Sequence, residues 1–325
     1  MSSSATGPIG RTDAIHALVH NVVDTRYENM SKMAVDATKI FILDSLGVAI
    51  AGSLAPGVSE TLGILRDWGG KGESTVLVSG EKLPAPSSAM MNSFLMHNQE
   101  FDCVHDLAVV HAFTTVLPVA IAVAEAQGGV TGREFLIAVA LGVDVASSIG
   151  ISSRSPMAHF RPGTAGAFGA VAAAGKIAGF DQATLSNAMG IVYSQICGTL
   201  QPHSEGAQVN SMQTGFNARA AVTAISLAAQ GIQGASEVLE GQYGYFRLFE
   251  GEYDVEEALA NLGNVWQVER IGHKPFPCGR LTHGVIEAAL TLKERHRFNA
   301  DDVDEFEALV PPLVYRLVGR PLESG

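Results

Sequence analysis

The sequence predicts a mainly α-helical protein in which a large all-α domain precedes the start of a smaller α+β domain. Apolar residues recur at helical spacing in one segment after another up to about residue 262, without alternation of strands and helices. Hydrophobic residues make up 47% of the chain and charged residues only 17%, so much of each helix surface must be buried. We therefore expect a flexible tail at 1–11, an all-α domain at 12–262 and a partial α+β lid domain at 263–325.

The charge and cysteine content disfavour several classes of protein. The net charge of −12, with no local cluster of Lys and Arg, disfavours binding to nucleic acid or to an anionic membrane. The three cysteines are far apart and form no Cys-x-x-Cys pair, which argues against disulfides, zinc ribbons and iron–sulfur clusters. No long run lacks polar residues, and the start of the chain has no basic segment followed by an apolar one. We expect a soluble, cytoplasmic protein.

Two helices are predicted near the start of the chain. Thr12 is the expected N-cap of the first, and the second covers about 31–50. The residues expected to face the core from the second helix are Met33, Ala37, Ile40, Phe41, Leu43 and Leu46. Asp44 lies within this apolar span, where we expect a solvent-facing or capping carboxylate rather than a functional one.

Two later segments have clear helical signals. Thr131 and Glu134 have the spacing of a capping box and open a predicted helix through Ala146. The block 160–176 places small residues on successive turns, which predicts a helix packed closely against its neighbours. A phosphate-binding loop is the alternative, but no strand precedes the block and no Gly-Lys-Ser/Thr ends it.

The stretch at 96–111, here called the acidic stretch, carries most of the chemistry. It holds three histidines, two aspartates and one glutamate between apolar helical runs at 87–95 and 116–126. Polar groups held close to a core need hydrogen-bond partners or have a functional role. A proton-transfer site, a metal site and a helix-capping network are all consistent with these residues. The irregular spacing is unlike a His-Glu-x-x-His metal motif, which disfavours the metal site.

The pattern changes from about residue 265. Segments 265–271 and 304–310 are predicted strands, and 284–293 is a predicted helix. His283 begins that helix after Thr282. It has either a structural role as a capping residue or a role as a catalyst. His203, between two turn-forming residues, also has either a structural or a functional role.

The segment 274–283, Lys-Pro-Phe-Pro-Cys-Gly-Arg-Leu-Thr-His, resembles the signature of the MmgE/PrpD family. Further blocks agree in order along the chain: 44–52, the acidic stretch with Val-Leu-Pro at 116–118, 163–169, 188–191 and 238–241. The resemblance covers essentially the whole chain beyond the N-terminal tail. This family includes 2-methylcitrate dehydratase, cis-aconitate decarboxylase and iminodisuccinate epimerase.

The resemblance implies a fold of one large helical domain and an α+β lid, with the active site between them. It also implies a homodimer that needs no metal and no organic cofactor and that acts on a small polycarboxylate. Family members continue through more of the lid and then return to the helical domain. The resemblance therefore implies that this chain is a C-terminally truncated product or a fragment.

The resemblance also proposes individual site residues. The catalytic positions that carry over are His111, Lys274, Tyr315, Asp102 and Glu100. The substrate-binding candidates are Arg280, Arg161, His159, Gln213 and Asn210. The chain departs from the family pattern in three places. Val104 replaces a threonine, Phe160 replaces a histidine with His159 beside it, and Asn210 replaces a lysine with Gln213 nearby.

These residues fit the removal of water from a hydroxy di- or tricarboxylate. That reaction needs a base for an acidic C–H, cations for the carboxylate that gains charge, and an acid for the departing hydroxyl. His111 is the expected base, Lys274, Arg280 and Arg161 are the expected cations, and Tyr315 donates a proton or orients a carboxylate. We therefore expect a lyase similar to 2-methylcitrate dehydratase. The alternatives are an epimerase, which returns a proton to the same carbon, and a helical dimer that serves as a non-catalytic scaffold.

Overall fold

The computed structural model describes residues 12–319, and they form a mainly α-helical structure, as predicted. The expected tail at 1–11 lies outside the described residues. The helices are α1 (Ala14–Asp24), α2 (Lys32–Gly52), α3 (Val58–Trp68), α4 (Ala85–His97), α5 (Ala112–Ala126), α6 (Gly132–Ser152), α7 (Arg161–Ile177), α8 (Gln182–Tyr193), α9 (Gln201–Glu205), α10 (Val209–Ala229), α11 (Glu256–Ala260), α12 (His283–His296) and α13 (Pro312–Val318). Two short antiparallel pairs join β1 (Ser74–Thr75) to β2 (Lys82–Leu83) and β3 (Val104–His105) to β4 (Ile271–Gly272).

The predicted close-packed helix is confirmed as α7, which lies at the centre of the fold. It packs against α5, α6 and α10, and nearly all of its residues are buried. Gly142 of α6 and Gly169 of α7 face each other, because a Cβ built on Gly142 would lie only 2.7 Å from the Gly169 carbonyl oxygen. Small residues thus set the distance between these two backbones. The N-terminus of α7 lies beside the candidate site, since Phe160 and Pro162 line its cavity.

Side-chain caps explain where several helices begin. The predicted capping box is confirmed: the N–H of Glu134 donates to Oγ1 of Thr131 at 3.3 Å, and the N–H of Thr131 donates to Oε2 of Glu134 at 2.7 Å. The prediction that Thr12 caps α1 is wrong. Asp13 caps it by accepting from the N–H of Ile15 at 2.9 Å, and its other oxygen accepts from the N–H of Glu240 at 2.8 Å. The two oxygens of the Asp13 carboxylate each accept a separate hydrogen bond, whereas Thr12 has a single hydroxyl oxygen.

Helix α2 carries two apolar stripes, and part of the face predicted to be buried is exposed. Phe41 is buried as predicted. The large apolar side chains that are exposed on or just beyond α2 are Met33, Ile40, Leu43, Ile50 and Leu54. The core instead takes the smaller side chains of Ala34, Thr38, Ser45 and Ala49, because α2 packs closely on α4. Periodicity alone cannot choose between two apolar faces of one helix.

One described helix, α6, is long and apolar enough to cross a membrane by length and composition. Most of it is buried inside the protein, where it packs along α7. A helix buried in the core of a folded protein can be as apolar as a membrane span. Burial inside the protein accounts for the apolar residues of α6.

Several predicted elements in the last third of the chain are wrong. The strand expected at 265–271 is instead a 3₁₀ turn, Gln267–Arg270, followed by the two residues of β4. Trp266 and Val268 are buried in the main core, so tertiary packing overrides their β propensity. The strand expected at 304–310 is an exposed irregular segment. The helix expected at 284–293 is confirmed within α12, whereas the boundary at 262/263 stays a prediction.

Candidate active site

The acidic stretch forms a loop at 98–111 between α4 and α5, as the flanking apolar runs predicted. Its middle is fixed by the pairing of β3 with β4, in which Val104 lies opposite Gly272 and His105 opposite Ile271. His105 is also held by Gln267, whose Oε1 lies 3.1 Å from Nε2 of His105. This pairing brings the segment that follows β4 against the acidic stretch.

Lys274, just after β4, is completely buried against the acidic stretch. Its Nζ donates to the carbonyl oxygen of Glu100 at 2.9 Å and lies 3.4 Å from Oε2 of Glu100 and 3.5 Å from Oδ1 of Asp102. Glu100 has a φ of +50°, in the left-handed region that non-glycine residues seldom adopt. The ammonium group therefore stabilises both the strained backbone and the two carboxylates.

The buried Asp102 carboxylate lies between two imidazoles. Its Oδ2 lies 2.9 Å from Nδ1 of His97 and 3.0 Å from Nδ1 of His111, while Oδ1 faces Lys274. Burial by itself raises the pKa of a carboxyl group, but the electrostatic attraction and hydrogen bonding of His111, together with the attraction of His97 and Lys274, outweigh it and hold the pKa of Asp102 well below its ordinary value. Asp102 is therefore an ionised carboxylate that orients both rings.

The surroundings of His111 fix its tautomer. Nδ1 faces Oδ2 of Asp102 and, at 3.1 Å, the carbonyl oxygen of Cys103, and both of these atoms are acceptors. Nδ1 must therefore carry a hydrogen, which leaves Nε2 with a lone pair in the neutral ring. His111 immediately precedes α5 and lines a cavity. This arrangement suits a general base.

The cavity beside this cluster has a volume of about 430 Å³. Its polar lining consists of His97, Glu100, Asp106, His111, His203 and Arg280. Its apolar lining includes Val104, Val109, Met157, Phe160, Pro162, Leu200, Leu281, Leu317 and Val318. The N-termini of α5 and α7 lie at the cavity, where their partial positive charges favour an anion.

Arg280 is the Lys or Arg side chain that lines the cavity among the described residues. It forms a bidentate ion pair with Asp106. Nε and Nη2 of Arg280 donate to the two carboxylate oxygens at 2.9 and 3.0 Å. His283 lies behind this pair, with Nδ1 at 3.4 Å from Nη1 of Arg280 and Nε2 at 3.4 Å from the carbonyl oxygen of Cys278. His283 begins α12 as predicted and is buried, and this burial lowers its pKa.

The structure places Arg161 behind the acidic stretch rather than in the cavity. Its Nε and Nη2 donate to the carboxylate of Glu250 at 2.9 and 2.7 Å, and its Nη1 donates to the carbonyl oxygen of Ala108 at 3.1 Å. Tyr245 donates its hydroxyl hydrogen to the same carboxylate at 2.8 Å. His159 contacts the neighbouring Phe249 carbonyl oxygen through Nδ1 at 3.2 Å. Arg161 thus supports the backbone that shapes the site.

Three further predicted residues lie outside the cavity lining. Tyr315 is 68% exposed on α13, although Leu317 of the same helix lines the cavity. Asn210 lies in an adjoining groove that shares Glu100 and His203 with the cavity. Gln213 is buried and accepts from the N–H of Thr199 at 2.7 Å. The structure therefore groups five candidates at one place: His111, Glu100 and Arg280 line the cavity, and Lys274 and Asp102 are buried next to Glu100 and His111 without lining it.

Sequence reasoning missed His97 as a site residue. It stands at the start of the acidic stretch and ends α4, directly after the apolar run at 87–95, so its neighbours suggested a structural position. Its spacing of three and five residues from Glu100 and Asp102 was the available signal. Sequence reasoning also left the role of His203 open. The structure places His203 at the cavity, with Nε2 3.0 Å from the carbonyl oxygen of Leu317.

No group of three or more His, Cys, Asp and Glu side chains within residues 12–319 has an arrangement that could hold a metal ion. The side chains grouped at the described site are an ionised carboxylate, two imidazoles, an ammonium group and a guanidinium group.

Fold and site together define a mainly α-helical protein with a buried cluster of carboxylate, imidazole and ammonium groups beside a cavity. The sequence profile of the MmgE/PrpD N-terminal domain matches residues 16–258. The chain belongs to the MmgE/PrpD family.

Similar proteins are known from fungi and from human. The chain is 28% identical over 311 residues to a cis-aconitate decarboxylase of Aspergillus terreus, covering 91% of this chain and 63% of that protein. It is 30% identical over 276 residues to the cis-aconitate decarboxylase of A. terreus strain NIH 2624, covering 80% and 56%. The human cis-aconitate decarboxylase is 24% identical over 325 residues, covering 95% and 66%. The chain thus spans less than two thirds of the length of these three relatives.

Proposed function

We propose that this protein is a cofactor-independent lyase that removes water from a small hydroxy di- or tricarboxylate, in the manner of a 2-methylcitrate dehydratase. The observation that carries the proposal is the orientation of His111. Asp102 and the Cys103 carbonyl group hold the hydrogen on Nδ1 and leave the basic Nε2 for a ligand in the cavity. The names of the relatives support a polycarboxylate as the substrate.

In the proposed reaction, Nε2 of His111 takes a proton from a carbon next to a substrate carboxylate. The electron pair of that C–H bond forms the C=C bond as the C–O bond of the neighbouring carbon breaks. The hydroxyl group leaves as water after accepting a proton from an acid of the site. Asp102 stabilises the imidazolium ion that forms on His111, as a buried carboxylate does in catalytic triads.

The polar groups and shape of the cavity support an anionic substrate with an apolar part. Arg280, which is paired with Asp106, and the N-termini of α5 and α7 supply positive potential at the cavity for carboxylates. The wall formed by Val104, Met157 and Leu281 suits an alkyl group. Burying one methyl group contributes about 0.8 kcal/mol, or about fourfold in affinity. This favours 2-methylcitrate over citrate.

The test is a comparison of citrate, 2-methylcitrate, cis-aconitate and iminodisuccinate by calorimetric binding and by turnover. We expect tightest binding of 2-methylcitrate, together with loss of water detected by the ultraviolet absorbance of the new C=C bond. The matched control is His111→Gln, which keeps the size of the side chain and removes the base. Turnover that is equal in the wild type and the control contradicts the proposal.

A specific observation favours epimerisation as the second candidate. The ring centroids of His97 and His111 lie only 5.4 Å apart, and two imidazoles can exchange a proton with one carbon. Exchange of substrate hydrogen for deuterium in D₂O without loss of water identifies an epimerase. A protein that binds none of the four compounds is instead the non-catalytic helical scaffold.

We also propose that the protein is a cytoplasmic homodimer. The outer apolar stripe of α2, defined by Met33, Ile40, Leu43 and Ile50, supports the dimer. Its residues are separated by seven, three and seven positions, the spacing of a helix seam that packs against another helix. So many exposed apolar residues on one helix face mark an interaction surface.

A further inference from the structure

We propose that His97 is the catalytic acid of this site and donates a proton from Nε2 to the departing hydroxyl group of the substrate. This inference rests on the proposed dehydration, and it assigns the acid that the reaction requires. Tyr315, the acid expected from the sequence, is exposed on α13 and does not line the cavity. His97 does line it.

The first observation is an unused nitrogen. Nδ1 of His97 is hydrogen-bonded to Asp102. Nε2 is buried and has no hydrogen-bond partner. The ring is almost completely inaccessible to solvent, and His97 contributes to the cavity wall. A buried polar atom without a partner costs stability, so a structure that keeps one needs a reason for it. A ligand oxygen in the cavity would supply the partner.

The second observation is the balance of charge. Glu100 and Asp102 contribute two negative charges to the cluster and Lys274 contributes one positive charge. One imidazolium makes this buried cluster neutral. The proton is best placed on His97, because its Nε2 lies 3.9 Å from Oε1 of Glu100 while its Nδ1 faces Asp102. The His97 ring also contacts Phe160, which carries no charge.

The direction of the pKa shift agrees with this geometry. Burial lowers the pKa of His97, but the charge and hydrogen bond of Asp102 and the charge of Glu100 outweigh both burial and the repulsion from Lys274, and the pKa is raised above its ordinary value. His97 is thereby prepared as an acid, while the hydrogen bonds at Nδ1 of His111 leave its Nε2 with a lone pair for the role of base. Such a division between paired groups is how acid and base roles are commonly set in enzymes.

Protons balance within the cluster. His111 gains the proton taken from substrate carbon, and His97 loses a proton to the leaving hydroxyl group, which departs as water. One proton enters the cluster and one leaves it, so the total number of protons is unchanged after one turnover. Both rings donate through Nδ1 to the same Oδ2 of Asp102. The resting state returns when His111 gives its proton to water and His97 takes one from water.

Two substitutions separate a catalytic role from a structural one. His97→Asn places an amide N–H near the position of Nδ1 and keeps a donor to Asp102, but it has no group at the position of Nε2. We expect kcat for the hydroxy acid to fall about 10²- to 10⁴-fold with little change in KM. The wild-type loss of activity at high pH, where His97 loses its proton, should disappear in this variant. His296→Asn, at an exposed site on α12, is the control and should behave as wild type.

A substrate analogue tests the chemical step itself. When fluorine replaces the departing hydroxyl group, the leaving group needs much less help from an acid. His97→Asn should therefore process this analogue at a rate near that of the wild type. An equal loss on both substrates, or an unchanged pH profile, overturns the assignment.

The protonation state of the His97 ring can also be measured without an activity assay. In ¹⁵N NMR spectra of the ligand-free protein at pH 7, His97 should show two protonated nitrogens. A neutral ring with a bare Nε2 overturns the assignment. If the wild type turns over no polycarboxylate, the proposed function fails, and the NMR result still decides the state of His97. If the wild type is active and His97→Asn equals it, only the role of His97 fails.

Discussion

The Nζ atom of Lys274 lies 3.5 Å from Oδ1 of Asp102, although 172 positions separate the two residues in the sequence. Both side chains are nearly or completely buried. The ion pair joins the segment after β4 to the loop between α4 and α5, so it holds in place the carboxylate that contacts both His97 and His111. Breaking it should affect both stability and ligand binding.

The first prediction is that Lys274→Met destabilises the protein by about 3 kcal/mol, because removing one partner leaves a buried charge without compensation. Urea unfolding measures the change, and Lys293→Met on the exposed side of α12 is the control, with an effect below about 0.5 kcal/mol. Adding Asp102→Asn to Lys274→Met should recover part of the loss. If Lys274→Met is as stable as the wild type, the Lys274–Asp102 ion pair has no structural role. Polycarboxylate binding should also weaken in Lys274→Met.

The second prediction concerns His111. His111→Gln should reduce kcat about 10²- to 10⁴-fold, as expected for loss of a general base, while the affinity for a polycarboxylate changes little. Steady-state kinetics and calorimetry measure the two quantities separately. His296→Gln on α12 is the matched exposed control. A loss of affinity without a loss of kcat would instead make His111 an anion-binding residue.

The helical class and the loop between two buried helices followed from the sequence because both depend on local apolar spacing. The same information could not show that Lys274 reaches Asp102, since the contact depends on the pairing of β3 with β4. Each of these strands has only two residues, too few for a periodic signal. The family resemblance, rather than local pattern, brought Lys274 and His111 into one hypothesis.

Other differences have a similar cause. Arg161 was a candidate because its charge suits a carboxylate ligand, but Glu250, 89 positions away, already supplies that carboxylate. His97 was hidden because its burial resembles that of the apolar residues beside it. Long-range partners decide which charged residues are free to bind a ligand, and one sequence does not reveal them.

The third prediction concerns the pH dependence of stability. Burial raises the pKa of Asp144 well above its ordinary value, outweighing the hydrogen bond that its Oδ1 accepts from the N–H of Gln267 at 2.7 Å. Above about pH 4 the unfolded chain ionises this group while the folded protein keeps its proton. The folded state then binds more protons, so this group makes stability fall as pH rises toward its folded pKa.

Asp144→Asn should remove this contribution, because an amide oxygen can accept the same hydrogen bond and does not titrate. Urea unfolding between pH 5 and 8, within roughly the stable range of most proteins, should show a smaller loss of stability with rising pH in the variant than in the wild type. Asp304→Asn in the exposed irregular segment is the control and should keep the wild-type slope. Identical slopes for all three proteins would mean that Asp144 is ionised in the folded state.

The last prediction concerns the outer stripe of α2. Leu43 is 72% exposed in the middle of this stripe, so Leu43→Glu should place a charge in the proposed dimer interface. An unpaired buried charge is costly, and we expect the variant to sediment as a monomer at micromolar concentration while the wild type sediments as a dimer. Leu309→Glu is the control, because Leu309 is also highly exposed but lies in the irregular segment before α13. A monomeric wild type rules out the dimer. A Leu43→Glu variant that stays dimeric shows instead that the subunits meet through another surface.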